Sequence, residues 1–204
     1  MKHAFAFPHH IREAIRLHVD RAIGGVSPAR FAQEPAYVAA LLARLEGRPY
    51  EGSDGTVEFR ATNINSLGRG AAEKVFGADF AITAEVERDG IRIAKAILAQ
   101  AKLGVLSDLS HVERERLVEQ IKKMQHFINS PKVMMVRADG DRRAPEILSG
   151  ARIVEGRPTK PQRLSDYFVR RILTTLDGDT RADFVEAVAH SNLKQLQVIA
   201  KRGR

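Results

Sequence analysis

The chain has 204 residues, a length typical of one domain with room for a small appendage. Apolar residues make up 44% of it, enough for a buried core, and 33 Lys and Arg against 25 Asp and Glu give a net charge of +8. This basic balance favours polyanionic partners such as nucleic acid. The lack of cysteine excludes disulfides, thiolate catalysis and cysteine-based zinc sites.

The sequence predicts no membrane segment and no leader. No apolar run approaches the roughly 18 residues of a membrane span. The opening stretch MKHAFAFPHH has one lysine and too short an apolar run for a signal peptide. We therefore expect a cytoplasmic protein without a membrane partner.

The spacing of apolar side chains separates the predicted helices from the predicted strands. We expect the second helix to be broken near Pro35 and ended by Gly47, and Ser165 to cap a later helix. In chain order the predicted elements are helices within 7–25 and 27–47, a strand from Thr56 to about Ile64, a polar loop over 65–77, a hairpin over 77–102, a helix within 107–128, a short buried strand in 132–138, one more strand or bulged edge in 143–155, a helix over 164–176 and a mainly helical remainder to the end.

Helices on both sides of a hairpin-containing sheet predict a mixed α/β sandwich. We divide the chain into an N-terminal helical extension (1–29), an α/β core (30–176) and a C-terminal helical, basic tail (177–204). Lys194 and Lys201 belong to this tail, which is either a nonspecific nucleic-acid contact or a solvated segment.

The clearest local signal in the sequence is that of a β-hairpin over residues 77–102. If Asp89 and Gly90 form a two-residue turn, Asp79 falls opposite Gln100. Cross-strand partners share a face, as do residues two apart, so Asp79, Gln100 and Lys102 converge on one side of the sheet. The other side receives a coherent apolar set: Phe80, Ile82, Val86, Ile93, Ile97 and Ala99.

These three polar residues suit metal-assisted chemistry on phosphate. Carboxylate and amide oxygens are hard ligands of the kind that Mg²⁺ prefers. A neighbouring lysine can hold a water nucleophile or neutralise charge developing on a phosphate. The alternative is structural, with Asp79 capping a turn and Lys102 a solvated strand end.

The stretches GADF and ILAQAK resemble the PD-(D/E)xK nuclease superfamily, in the Mrr-like form whose last motif reads QxK. The resemblance covers residues 30–103 and implies a restriction-endonuclease-like mixed β-sheet core flanked by helices. It implies that Asp79 is the acidic metal ligand, Gln100 takes the second ligand position and Lys102 is the catalytic lysine. The implied activity is hydrolysis of phosphodiester bonds in DNA by an endonuclease with Mg²⁺, or Mn²⁺ in its place, in defence against foreign DNA.

The chain departs from the family pattern at two positions. No proline precedes Asp79, and Gln100 replaces an acid, so an amide stands where a stronger Mg²⁺ ligand is expected. This leaves open an alternative function, a weak or inactive nuclease-fold module that binds nucleic acid or a protein partner. Many members add an acid from the first core helix; the candidates are Glu34, Glu46 and Glu73, of which we retain Glu34 and Glu73 as metal ligands.

Four basic residues are expected to contact the nucleic acid. Arg69 and Lys74 precede the first motif, and Lys122 and Lys123 lie on the helix that follows the second. The resemblance favours DNA over RNA as the substrate, although no sequence feature that recognises the 2′-hydroxyl separates the two. No recognisable helix-turn-helix or zinc finger supplies sequence specificity, which favours a partner subunit of a larger system or a nonspecific mode of binding. The resemblance to nucleases that cut both strands also allows a homodimer.

Overall fold

The structure is a computed structural model that describes residues 7–62, 69–137 and 145–203, the side chains of 69–71 excepted. It is a mixed α/β fold. The strands are β1 (Gly47–Gly52), β2 (Gly55–Thr62), β3 (Phe80–Arg88), β4 (Ile91–Leu103), β5 (Lys132–Val136), β6 (Glu146–Ser149), β7 (Gln162–Arg163) and β8 (Lys194–Arg202). The α-helices are α1 (His9–Gly24), α2 (Glu34–Leu45), α3 (Arg69–Phe76), α4 (His111–Gln125), α5 (Gly150–Val154), α6 (Leu164–Tyr167) and α7 (Ala182–Ala189), and a π-helical turn (Phe168–Ile172) continues α6.

Eight strands form one mixed sheet in the order β1-β2-β8-β3-β4-β5-β6-β7. The pairs β3–β8 and β4–β5 are parallel, and the other pairs are antiparallel. As a result, the starts of β3 and β8 and the ends of β2, β4 and β5 lie at the same end of the sheet. We call this the motif end, because β3 and β4 flank the predicted hairpin.

Helices cover both faces of the sheet, which confirms a mixed α/β architecture with flanking helices. The helices α1, α2 and α6 pack on the face that contains Ile82 and Leu196, and they form the larger hydrophobic core. The helices α4, α5 and α7 pack on the face that contains Ala81 and Leu98. Among the described residues, no helix is long and apolar enough to cross a membrane.

The hairpin forms in the predicted register. Phe80 pairs with Ala99 and Arg88 with Ile91. Asp89 and Gly90 have φ angles of 52° and 77°, the left-handed conformation that a type I′ turn requires at both positions. The predicted apolar face is buried in the larger core, apart from Ile93, which is half-buried.

Two predictions that concern α3 and α6 are wrong. The predicted loop over 65–77 contains α3, because alanines and the Glu73–Lys74 pair favour helix after the glycines. The helix that begins at Leu164 is preceded by Arg163, and Ser165 is buried in its first turn instead of capping it. The strand predicted from Thr56 is present as β2, and Ile64 lies outside the described residues.

The C-terminal segment is the largest correction. Residues 182–189 are helical as expected, but residues 194–202 form β8, which lies between β2 and β3 within the sheet. Leu196, Val198 and Ala200 are fully buried, so this stretch is a core strand and not a helical tail. The N-terminal helix also contributes Ile11 and Ile15 to the larger core.

Candidate active site at the motif end of the sheet

Asp79 is the last residue before β3, and its position depends on the turn that ends α3. Gly77 has a φ of +70°, and a Cβ there would lie 2.7 Å from the backbone oxygen of Gln120. Glycine is therefore required where the chain turns from α3 against α4. The backbone N–H of Asp79 then donates to the Ala99 carbonyl at 3.0 Å, which holds Asp79 against β4 just before the first ladder pair, Phe80 with Ala99.

The structure places Asp79 and Gln100 in contact, as the register predicts. Gln100 Nε2 donates to Asp79 Oδ2, and the Ala101 backbone N–H donates to the same oxygen at 2.9 Å. Both side chains are almost fully buried, with exposed fractions of 8% and 2%. The carboxylate is thus held by two donors at a defined position beside the end of β4.

Burial is the main influence on the charge of this site. Desolvation raises the pKa of Asp79, while the Ala101 N–H, the Gln100 amide and Lys102 oppose that change and Glu73 adds to it. Gln100 Oε1 is buried and makes no hydrogen bond with any described residue. A buried acceptor without a donor is unfavourable, and a rotation of the amide would bring this oxygen beside the carboxylate as a candidate cation ligand.

Lys102 and Glu34 also meet at the motif end. Lys102 Nζ lies 3.9 Å from Glu34 Oε1, and both side chains are partly buried. Pro35 does not break the second helix; it occupies its first turn, where its missing N–H leaves no hydrogen bond unmade. Glu34 therefore begins α2, where a negative charge is favoured by the helix dipole.

Glu73 has a different partner. Its Oε1 accepts a hydrogen bond from Lys194 Nζ at 3.1 Å, and the lysine side chain is only 8% exposed. Lys194 starts β8 and pairs with Phe80, so its buried ammonium balances the charge of Glu73 at the motif end of the sheet. The prediction of a basic tail that contains Lys194 is therefore wrong. The alternation of Leu196, Val198 and Ala200 is the sequence signal that indicates a strand there.

The residues predicted to contact nucleic acid lie beside this site on two neighbouring helices. Lys74 is exposed on α3, and Lys122 and Lys123 are exposed on α4. The Cβ of Lys123 lies against Gly77, which joins α3 to the strand that begins after Asp79. Arg69 begins α3, and its side chain lies outside the described part of the structure.

The donor set fits a hard divalent cation. Asp79 offers a carboxylate, Gln100 offers its Oε1, and Glu34 is brought to the same end of the sheet by α2. Within residues 7–62, 69–137 and 145–203, no three His, Cys, Asp or Glu side chains converge as a ready metal cluster. A metal ion bound here would therefore need the amide oxygen of Gln100, a Glu34 carboxylate that moves towards it, and water molecules as further ligands.

Together these features describe a mixed α/β protein with a buried carboxylate–amide pair and a lysine at one end of its sheet. Comparisons with protein-family models, with curated proteins and with solved structures found no match to this chain. Its function must therefore be argued from the chemistry of the site itself.

Proposed function

We propose that this protein is a metal-dependent nuclease of the PD-(D/E)xK type, which hydrolyses phosphodiester bonds in DNA with Mg²⁺ or Mn²⁺. The observation that supports it best is the contact of Asp79 with Gln100 across the β3–β4 ladder, with Lys102 two residues further along β4. In the superfamily that the sequence resembles, the acidic ligand and the last motif lie on adjacent strands. Defence against foreign DNA, a cytoplasmic location and assembly with a second copy or another subunit belong to the same proposal.

Asp79 and Gln100 would hold the cation, with Glu34 as the nearby acid that completes its shell. When bound, Mg²⁺ supplies positive charge to a phosphate oxygen and to the leaving oxygen. Gln100 would turn its amide so that Oε1, and not Nε2, faces Asp79. That rotation would replace the amide-to-carboxylate hydrogen bond by two oxygens on one cation.

Lys102 would position the attacking water. Its ammonium can donate to a water oxygen and to a nonbridging phosphate oxygen, while Glu34 at 3.9 Å limits the directions in which it can point. Water would add to phosphorus and release a proton to solvent as the ester P–O bond breaks. The departing oxygen takes a proton from solvent, and the products are a phosphate monoester and an alcohol.

The test is a cleavage assay on plasmid DNA and on RNA with Mg²⁺ or Mn²⁺. We expect the wild type to cut, and Asp79→Ala and Lys102→Ala each to lose at least about 100-fold in rate, as for removal of one electrostatic or positioning group. Glu46→Ala, an exposed acid just beyond α2, is the matched control and should cut normally. Cutting that persists in both site variants would contradict the assignment.

A second candidate function is a nuclease-fold module that binds nucleic acid or a protein partner without cutting. It is favoured by the present orientation of Gln100, whose amide N–H₂ already satisfies Asp79 without a cation. Binding of DNA by the wild type with no cleavage in either metal would support this function in place of the first.

A further inference from the structure

A second basic surface lies away from Asp79, on the outside of the helical layer formed by α1 and α6. It is a groove of about 760 Å³ between α1 and the segment that runs from Lys160 to Leu176. Its charged lining residues are Arg12, Lys160, Arg163, Asp166, Arg170 and Arg171. We call it the basic groove, because five of these six side chains are cations.

The one acid in the basic groove is already neutralised. Asp166 Oδ1 accepts from Arg16 Nε at 3.2 Å and lies 3.0 Å from Arg16 Nη2, and Arg170 Nε lies 3.4 Å from the same oxygen. The other four cations of the groove form no ion pair with any described residue. The groove therefore has an excess of positive charge that the described side chains do not balance.

Arg12 provides a second indication of an anionic ligand. Its Nε is buried and makes no hydrogen bond within the described part of the chain. A guanidinium offers several N–H groups in a fixed plane, which matches two oxygens of a phosphate better than it matches a single acceptor. An oxyanion bound in the groove is one acceptor that would satisfy this donor.

The basic groove is connected to the candidate active site through the sheet. Lys102 pairs with Met135, Met135 with Glu146, and Glu146 with Arg163, so Lys102 and Arg163 lie on one row across four strands. Neighbouring strands are about 4.8 Å apart, which places their backbones about 14 Å from each other. The candidate site and the helical layer that carries the groove lie on opposite faces of the sheet, so a polyanion that contacts both would pass around the motif end, where β7 ends at Arg163.

We infer that the basic groove binds the sugar–phosphate backbone of nucleic acid and extends the contact surface beyond the motif end of the sheet. The inference rests on the proposed function for its choice of nucleic acid over other polyanions. None of the described side chains that line the groove is aromatic, so contact with phosphates is favoured over stacking of bases. Such contacts would position the substrate without reading its sequence.

The experiment measures binding of a fluorescent DNA duplex to the full chain by anisotropy, in EDTA and over a range of salt concentrations. The groove variant is Arg163→Gln with Arg171→Gln, because both side chains are exposed and pair with no described acid. The control is Arg48→Gln with Arg92→Gln, which removes the same charge from two exposed arginines on another surface.

We expect the groove variant to bind at least about tenfold more weakly. Its plot of log affinity against log salt should lose about 1.8 in slope, since each phosphate contact contributes about 0.9. The control should keep the wild-type affinity and slope. Equal behaviour of the two variants in this assay would overturn the inference, provided that both have the wild-type melting temperature.

A competition arm separates nucleic acid from an acidic protein partner. The contrary outcome is that polyglutamate displaces the duplex at a similar concentration of charge and that the groove variant loses affinity for both ligands equally. This pair of results would show that the groove recognises acidic chains in general, and the inference would be wrong. Because EDTA prevents cleavage, binding is measured independently of catalysis. A wild type that binds through the groove but never cuts would reject only the proposed function.

Discussion

Glu34 and Lys102 meet around the end of β4, with 3.9 Å between Glu34 Oε1 and Lys102 Nζ. The helix α2 packs on the face of the sheet that contains Ala99 and Ala101, whereas Lys102 alternates onto the face of Gln100. The contact is made by the first residue of α2, at the motif end of the sheet. Glu34, which is distant in sequence from the hairpin, therefore lies beside the site on it.

We expect Glu34→Gln to reduce the rate of DNA cleavage by about 10- to 100-fold, because loss of this carboxylate removes a metal-shell acid and the charge that orients Lys102. Titration of Mg²⁺ should show that more metal is needed for half-maximal activity. Glu46→Gln, just beyond the other end of α2, is the matched control. Equal metal dependence in the two variants would remove Glu34 from the site.

Gln100→Glu should convert the amide–carboxylate contact into a carboxylate pair. Without metal the two charges repel, so we expect a lower melting temperature in EDTA than for the wild type. Mn²⁺ should raise the melting temperature of this variant more than that of the wild type, because ligand binding stabilises the folded state. Differential scanning fluorimetry checks both, with Gln100→Leu as the variant that should show no response to metal. Indifference of Gln100→Glu to Mn²⁺ would argue against a cation at this position.

Lys95 gives the protein a predictable pH dependence. Its side chain is buried, its Nζ donates to the carbonyls of Arg171 and Asp177 at 3.1 and 2.6 Å, and burial lowers its pKa from 10.5 to about 7. The unfolded chain therefore binds more protons than the folded chain between pH 7 and 10, so stability rises with pH there.

From pH 7 to pH 9 this lysine should add about 2 kcal/mol to the free energy of unfolding. Urea denaturation at the two pH values measures the difference. Lys95→Met leaves two carbonyls without a donor and lowers the overall stability. It should also abolish the increase in the free energy of unfolding between pH 7 and pH 9. The window stops at pH 9 because Tyr37, whose pKa burial raises to about 12, has the opposite effect in more alkaline solution. An unchanged rise in the variant would show that another group titrates.

Leu196→Ala tests the place of β8 in the core. The side chain is fully buried on the strand between β2 and β3, so we expect a loss of about 2–5 kcal/mol in the free energy of unfolding. Gln197→Ala, the next residue on the other face, should change stability by less than about 1 kcal/mol. Similar small losses in both variants would be the result expected of a peripheral tail and would contradict the fold.

The alternation of apolar residues and the Asp89–Gly90 turn are enough to predict the hairpin and the contact of Asp79 with Gln100. A two-residue turn fixes the register of every pair along the ladder, so this part of the site depends on local chemistry alone. The same reasoning finds the helical spacing of α1 and α2. It does not predict α3, because the glycines at the start of this helix are typical of a loop, although the residues that follow them favour a helix.

Long-range packing determines which residues and strands lie next to the hairpin. The insertion of β8 between β2 and β3, the pairing of Lys194 with Glu73 and the approach of Glu34 to Lys102 all join residues distant in sequence. Which strands become neighbours depends on how all the apolar faces are buried together, and no short stretch contains that information. Local sequence is sufficient to predict that the Asp79 carboxylate, the Gln100 amide and Lys102 share one face of the hairpin. The approach of Glu34 to Lys102, the buried Lys194–Glu73 pair and the separate basic groove exist only because distant segments pack together in the folded chain.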